Sequence, residues 1–518
     1  MTTAHHPPRV LVVTPEVTAV PRGMAPALRA ISARAGGLGD VCAAVLRSLF
    51  EAGVDVHLCI PDYRNVFNSN TGHAPAADFP RRLPALPERC VHLAQDRSFY
   101  YHPKLIRTVN RESIRIALAF QREVINRIIP EVQPDVIHCF DWMTGIVPPM
   151  ARHCHIPCLF TVYRFDSPVL LLSAIEECGI DAGSFWRHCF YSRMPINYEE
   201  TRGTNPLDML ASGVFAARLV HTLSPTFCDM MTDGNCDCAA GWLKAILQRK
   251  RRDGALHTVA PVPDRSFDPE TDQALARNYG AGNHHTAKRF NKLHLQESLS
   301  LSLDTTAPLC FWPTRLDGSR AGCRLIIDAL AVVLERYRRQ GLQLVFMADG
   351  DCQAQLRRRI DRLNARARVA VCEFDSRRCR LAYGAADFVL MPLFRDPCAL
   401  PCKIGQRYGA LPIAFDSAAA HDCVEHLNVA AGCGSGFLFR HFDATGLFWA
   451  LDQAMAFFDQ PFAVRVTQVR RIMRESARRF DPGETAGRTT ALYARALDRS
   501  QAVFAAAGDV SPTVRIAA

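Results

Sequence analysis

Gly36 and Gly37 stand between a short apolar run, Val10–Val13, and a segment whose residues 41, 45, 46 and 49 share one helical face. Without a Cβ, glycine lets backbone N–H groups come close to a ligand, and a helix N-terminus adds partial positive charge. That combination suits a diphosphate. The same glycines also serve a tight strand-to-helix turn, and on these residues alone both readings stand. Asp141 follows the apolar run 136–140, at what the pattern makes the carboxyl end of a strand, where parallel sheets place their ligand-binding groups. Other candidates are weaker. Cys236 and Cys238 are too close for a zinc pair, and Cys398 and Cys402 have metal-ligand spacing but no second pair, so the cysteines read as thiols of a reducing compartment. Gly282–His285 (GNHH) could hold a metal but lacks acidic or cysteine partners and reads as a polar loop. Residues 432–437 (GCGSGF) read as a turn, and the basic run 248–253 (QRKRRD) as a solvated face or loop.

The elements that would position these groups alternate in type. Apolar runs at 54–60, 157–163, 216–224, 308–313, 342–347, 369–374, 388–392 and 411–414 are separated by helix-period segments such as 325–339. That alternation predicts parallel sheets covered by helices. At 518 residues the chain is too long for one ordinary core. Pro261, Pro263 and Pro269 mark a boundary, and the division expected is 1–262, 263–482 and a C-terminal helix and tail over 483–518. With 48% hydrophobic and 22% charged residues the composition is that of a globular protein, not a disordered one. No run is long enough for a membrane helix, and the N-terminus lacks a secretory layout, so a cytoplasmic location is expected. The formal charge of +10, with arginine far outnumbering lysine, comes without a helix-turn-helix, zinc pattern or basic–aromatic cluster. Nucleic-acid binding is therefore not expected, and anionic small molecules are the better match.

A set of segments in a fixed order now becomes informative. They are Arg34–Val41 (RAGGLGDV), Pro61-Asp62-Tyr63, Pro134–Gly145 (PDVIHCFDWMTG), Thr222–Phe227 (TLSPTF), Phe267–Asp272, Asn291–Gln296, Thr314–Gly322 (TRLDGSRAG), Ala385–Pro392 and Asp396–Leu400 (DPCAL). Together they resemble the bacterial glycogen synthase and plant starch synthase family over most of the chain. The resemblance implies the GT-B fold, two Rossmann-like doubly wound α/β domains facing a cleft, with a C-terminal helix returning to the first. It implies a retaining glycosyltransferase that moves glucose from ADP-glucose, or UDP-glucose, to an α-1,4-glucan. By the same resemblance Arg34, Gly36, Gly37 and Asp40 line the donor site, with Cys398 and Leu400. Asp141 lies near the sugar, and Arg315 and Arg320 hold the donor phosphates. Asp396 takes the place of a family glutamate. Paired cations agree with the chemistry, because a departing nucleoside diphosphate gathers negative charge; a surface basic pair is the plainer alternative. With that charge supplied by arginine, no metal or cofactor is expected beyond the nucleotide sugar.

Several positions depart from the family pattern. Tyr163 stands where the family has a catalytic histidine, and Phe140 where it has another. A phenol can donate a hydrogen bond but cannot carry imidazolium charge at neutral pH. Ala399 replaces a glycine, Pro261-Val262 replaces Asn-Gly, Ala211 stands for a lysine, and Ser417–Asp422 (SAAAHD) falls on a glycine-containing segment, where three alanines should restrict the φ > 0 conformations that glycine supplies. The alternative expectation is accordingly a catalytically impaired paralogue that binds glucan or a partner protein.

Overall fold

The computed structural model describes residues 8–21, 23–24, 31–33, 37–69, 90–102, 105, 109–233, 241–318, 321–394 and 396–504. β1 (Arg9–Val13) is exposed only at Arg9, and its four following apolar residues are buried on both faces. Such a strand belongs inside a parallel sheet. In chain order come β2 (Asp55–Pro61), β3 (Val91–Ala94), β4 (Val136–Phe140) and β5 (Cys158–Thr161). A small antiparallel pair follows, β6 (Val169–Leu170) with β7 (Leu207–Asp208), and then β8 (Leu219–Thr222) and β9 (Leu256–Thr258). The main sheet runs β3-β2-β1-β4-β5-β8-β9 with every neighbour parallel. The helix Gly37–Glu51 joins β1 to β2, burying the stripe that includes Val41, Val45, Leu46 and Leu49.

The second sheet contains β10 (Leu309–Trp312), β11 (Gln343–Met347), β12 (Val369–Cys372), β13 (Phe388–Met391), β14 (Leu411–Phe415) and β15 (Phe437–Phe439). Its order, β12-β11-β10-β13-β14-β15, is again all parallel. Gly432 and Gly434, at φ 65° and 81°, form the turn that leads into β15.

The chain divides into two compact units: 1–222 with 231–259 and 483–518, and 223–230 with 260–482. Residues 223–230 and 260–262, assigned by the sequence reading to the first domain, thus pack with the second unit. The reason is polar. The Asp422 carboxylate accepts hydrogen bonds from the Ser224 and Thr226 hydroxyls and from the Thr226 N–H. Lys403 Nζ donates to the Pro261 carbonyl at 2.7 Å.

A buried polar chain closes the first unit. Tyr493, from the helix Pro482–Phe504, meets His138 Nδ1 at 2.8 Å, and His138 Nε2 meets Thr161 Oγ1 at 2.7 Å. Thr161 Oγ1 meets His221 Nδ1 at 2.8 Å, and His221 Nε2 meets the Val259 carbonyl at 3.0 Å. A carbonyl only accepts, so the proton on His221 must sit on Nε2, and each earlier bond then has one direction. Thr161 donates to His221, His138 Nε2–H donates to Thr161, and the Tyr493 hydroxyl donates to His138. Both imidazoles are neutral. Burial lowers His138 well below its ordinary pKa and His221 to about 4. Phe140 is fully buried and stacks its ring on His138 at 4.2 Å.

Two expectations need correction. The basic run 248–253 is not wholly solvated: it forms the last turn of the helix Gly241–Arg252 and one residue beyond, and Lys250 turns inward to the Ala217 carbonyl. Gly282 and Asn283 do form a turn, but His284 and His285 open the helix His284–Ser298.

Candidate active site

In the first unit the site is assembled at the carboxyl ends of β1, β4 and β5. Asp141, the residue after β4, has φ 65°, a left-handed conformation that few non-glycine residues adopt. Its side chain is only 1% exposed. Arg164 Nε donates to Asp141 Oδ2 at 3.0 Å, whereas Asp141 Oδ1 is buried with no hydrogen-bond partner. Burial works against the Arg164 charge, but Asp141, with Glu16 and Tyr163 farther off, raises its pKa above the ordinary value.

The glycine loop faces the same group. Gly37 begins the helix Gly37–Glu51, and a Cβ there would collide with the Tyr163 hydroxyl. Tyr163 therefore reaches the helix N-terminus, its hydroxyl filling the space that a Cβ at residue 37 would take. Asp40 Oδ1 accepts the Thr18 hydroxyl at 2.6 Å. Cys42 meets Thr14 Oγ1 at 3.1 Å, and burial, then the fields of Glu16, Asp141 and Asp40, raises its pKa well above the ordinary value. Gly37, Asp40, Asp141 and Tyr163 thus belong to one neighbourhood. Arg34 and Gly36 lie outside the described residues.

In the second unit the corresponding strand ends are those of β10 and β13. Gly322, in the first turn of the helix Ala321–Arg336, packs where a Cβ would strike the carbonyl of Pro392, just after β13. That close approach seats the start of the helix against the end of β13. Arg315 is held by Asp317: Nε donates to Oδ1 at 3.2 Å and Oδ2 at 3.0 Å, and Nη2 to Oδ1 at 3.2 Å. The pair orients the guanidinium while offsetting much of its charge, and Nη1 is left to meet an incoming anion. The Thr314 hydroxyl is buried nearby in sequence without a partner. Arg320 lies outside the described residues.

Asp396 works differently from a free carboxylate. Its Oδ1 accepts from the backbone N–H groups of Cys398 at 3.2 Å and Ala399 at 3.1 Å, ahead of the helix Leu400–Arg407. Ala399 has φ 45° and ψ 33°, so alanine adopts here the conformation that glycine would supply. Cys398 and Leu400 are buried beside it. The alanines at 418–420 need no such conformation. They begin a helix, Ala418–Cys423, without positive φ, so the expected restriction is not felt.

Sequence reasoning missed Arg164, the partner of Asp141, and the chain from Tyr493 to Val259. Arg164 directly follows Tyr163 at the end of β5, which was the available signal.

These two parallel-sheet units have the fold of a GT-B glycosyltransferase. The catalytic domain of starch synthase IV from Arabidopsis thaliana, bound to ADP and acarbose, superposes with a TM-score of 0.74 at 21% identity, covering 95% of this chain and 100% of that one. Sucrose-phosphate synthase from Thermosynechococcus elongatus gives a TM-score of 0.54 at 15% identity, covering 96% and 100%. A family model described as the starch synthase catalytic domain matches residues 9–245. A glycogen synthase of Moorella thermoacetica is 26% identical over 514 residues, spanning 96% of this chain and 99% of that protein. The chain is thus similar over most of its length to glycogen synthases, and its first half to the starch synthase catalytic domain. No described helix is long and apolar enough to cross a membrane.

Proposed function

We propose that the protein is a retaining glucosyltransferase that transfers glucose from ADP-glucose, or UDP-glucose, to the non-reducing end of an α-1,4-glucan. The observation that carries this reading is Asp141 Oδ1, a buried carboxylate oxygen without a partner, held at the end of β4 by a left-handed backbone and by Arg164. A buried acceptor of this kind is costly unless a ligand completes it, and a sugar hydroxyl does so. The Tyr163 hydroxyl at the N-terminus of the helix Gly37–Glu51 supplies a neutral donor in place of an imidazole. Arg315, oriented by Asp317, stabilises the departing phosphate, and Asp396 orders the backbone that leads through Cys398 to Leu400. With this charge stabilisation the reaction requires no metal or further cofactor. A cytosolic location suits the described cysteines, all of which are free thiols.

The test is transfer of radiolabelled glucose from ADP-glucose and UDP-glucose into glycogen. Asp141→Asn is expected to lower turnover about 10²-fold or more with the fold intact. A folded wild-type protein that transfers from neither donor would overturn the reading.

A further inference from the structure

Away from the strand ends that carry Arg315 and Asp396, the second unit contains a cavity of about 140 Å³. It lies among the helix His284–Ser298, the helix Phe462–Arg479 and the amino ends of β13 and β14. Its wall is rich in basic side chains: His284, His285, Lys288, Arg289, Lys292 and Arg465 all line it, against one carboxylate, Asp387. That carboxylate is already engaged, by Lys292 Nζ at 2.6 Å and the Leu309 N–H at 2.8 Å. Among the described residues no carboxylate pairs with Arg289 or Arg465.

The two arginines are arranged on aromatic rings instead. The Arg289 guanidinium lies 5.1 Å from the Phe462 centroid, and that of Arg465 lies 4.7 Å from Phe458 and 5.9 Å from Phe462. Aromatic walls hold a guanidinium flat without consuming its N–H donors. Two lining nitrogens, His285 Nδ1 and Arg465 Nε, are buried with no partner at all. Among the described residues no group of three or more His, Cys, Asp or Glu side chains could hold a metal, so the paired histidines do not make a cation site.

We infer that this cavity binds a phosphate-bearing anion, a small phosphomonoester whose phosphate oxygens take up His285 Nδ1, Arg465 Nε and the Arg289 fork. A tetrahedral group with several acceptor oxygens meets donors that converge from two helices, as a planar carboxylate does not. The cavity is large enough for a phosphate and a short body. Burial, with the neighbouring cations, leaves Lys288 at about 7 and His284 at about 4, so the wall gains positive charge when an anion arrives.

The occupant would act on the helix Leu400–Arg407. Lys288 Nζ donates to the Tyr408 carbonyl at 2.9 Å, at the C-terminal end of that helix, and Tyr279 donates to the same carbonyl at 2.8 Å. Asp396, Cys398 and Leu400 lie at its other end. An anion that draws on Lys288 thereby pulls on the helix that carries the donor-binding residues. This coupling rests on the proposed transferase reading, whereas the binding does not.

The test is calorimetric titration of the full chain, at low salt, with inorganic phosphate and with glycerol 3-phosphate. Wild type and Arg315→Ala should bind alike, because the donor loop is not involved. Arg289→Ala/Arg465→Ala should bind at least tenfold more weakly. Tighter binding of glycerol 3-phosphate than of phosphate assigns an ester as occupant, and equal binding assigns the free ion; both uphold the site. Unchanged affinity in the double variant, or affinity lost in Arg315→Ala, overturns it. Should the double variant fail to fold, the imidazole NMR signals of His285 in the wild type decide: they must move during the phosphate titration, and fixed signals at saturation overturn the site.

Discussion

Thr161→Val is the sharpest perturbation of the first unit. Valine keeps the shape of threonine but removes the hydroxyl at the middle of the chain from Tyr493 to Val259. His138 Nε2–H then has no acceptor and His221 Nδ1 no donor, and both rings are no more than 2% exposed. Each buried orphan costs about 1–3 kcal/mol, so the variant should lose about 2–6 kcal/mol. Tyr493→Phe strands one acceptor, His138 Nδ1, and should lose about half as much. Hydrogen exchange of peptides covering β4, β5 and β8, measured across a urea series, reports this unit without mixing in the other. The wild type should also weaken on acidification. His221 sits at about 4 when folded against an ordinary 6.5. Between those values the unfolded chain binds more protons, so stability rises with pH through that window and is fully present above 6.5. The difference corresponds to about 3 kcal/mol. A Thr161→Val protein within 0.5 kcal/mol of wild type, or one less damaged than Tyr493→Phe, would refute the directed chain.

Ala399→Gly should relieve the left-handed strain at φ 45° and stabilise the second unit by about 1 kcal/mol, seen as a melting temperature higher by a few degrees; a decrease would show the conformation unstrained. Gly37→Ala should displace the Tyr163 hydroxyl and weaken donor binding, and adding Tyr163→Phe should recover part of the loss, both measured by nucleotide-sugar titration. Asp422→Ala releases Ser224 and Thr226, and limited proteolysis should then cut within 223–230 faster than in wild type.

Much of the fold was readable because strands buried on both faces must be largely apolar; the segments at 10–13, 309–312 and 388–391 are apolar runs, and 136–140 is broken only by His138. Asp141 could be placed because strand ends in parallel sheets are where ligands bind. Its partner Arg164 could not, since that pairing depends on a positive φ at 141 and on β4 and β5 being neighbours, neither of which is a local property. His138, Thr161, His221 and Tyr493 likewise look ordinary until three strands and a distant helix bring them together. At Ala399 the departure was legible as a residue type, but its consequence needed the backbone angle. The alanines at 418–420 show the converse: the substitution looks severe in sequence and is absorbed by a short helix.

The return of the helix Pro482–Phe504 to the first unit sets an order on synthesis. Tyr493 emerges from the ribosome after every residue of the second unit, so the second sheet can close while the first still lacks its last helix. Until then the ring nitrogen of His138 that accepts from Tyr493 goes without its donor, and a nascent chain stalled near residue 482 carries one finished half and one unfinished half. The first half is therefore complete only once translation has passed Tyr493.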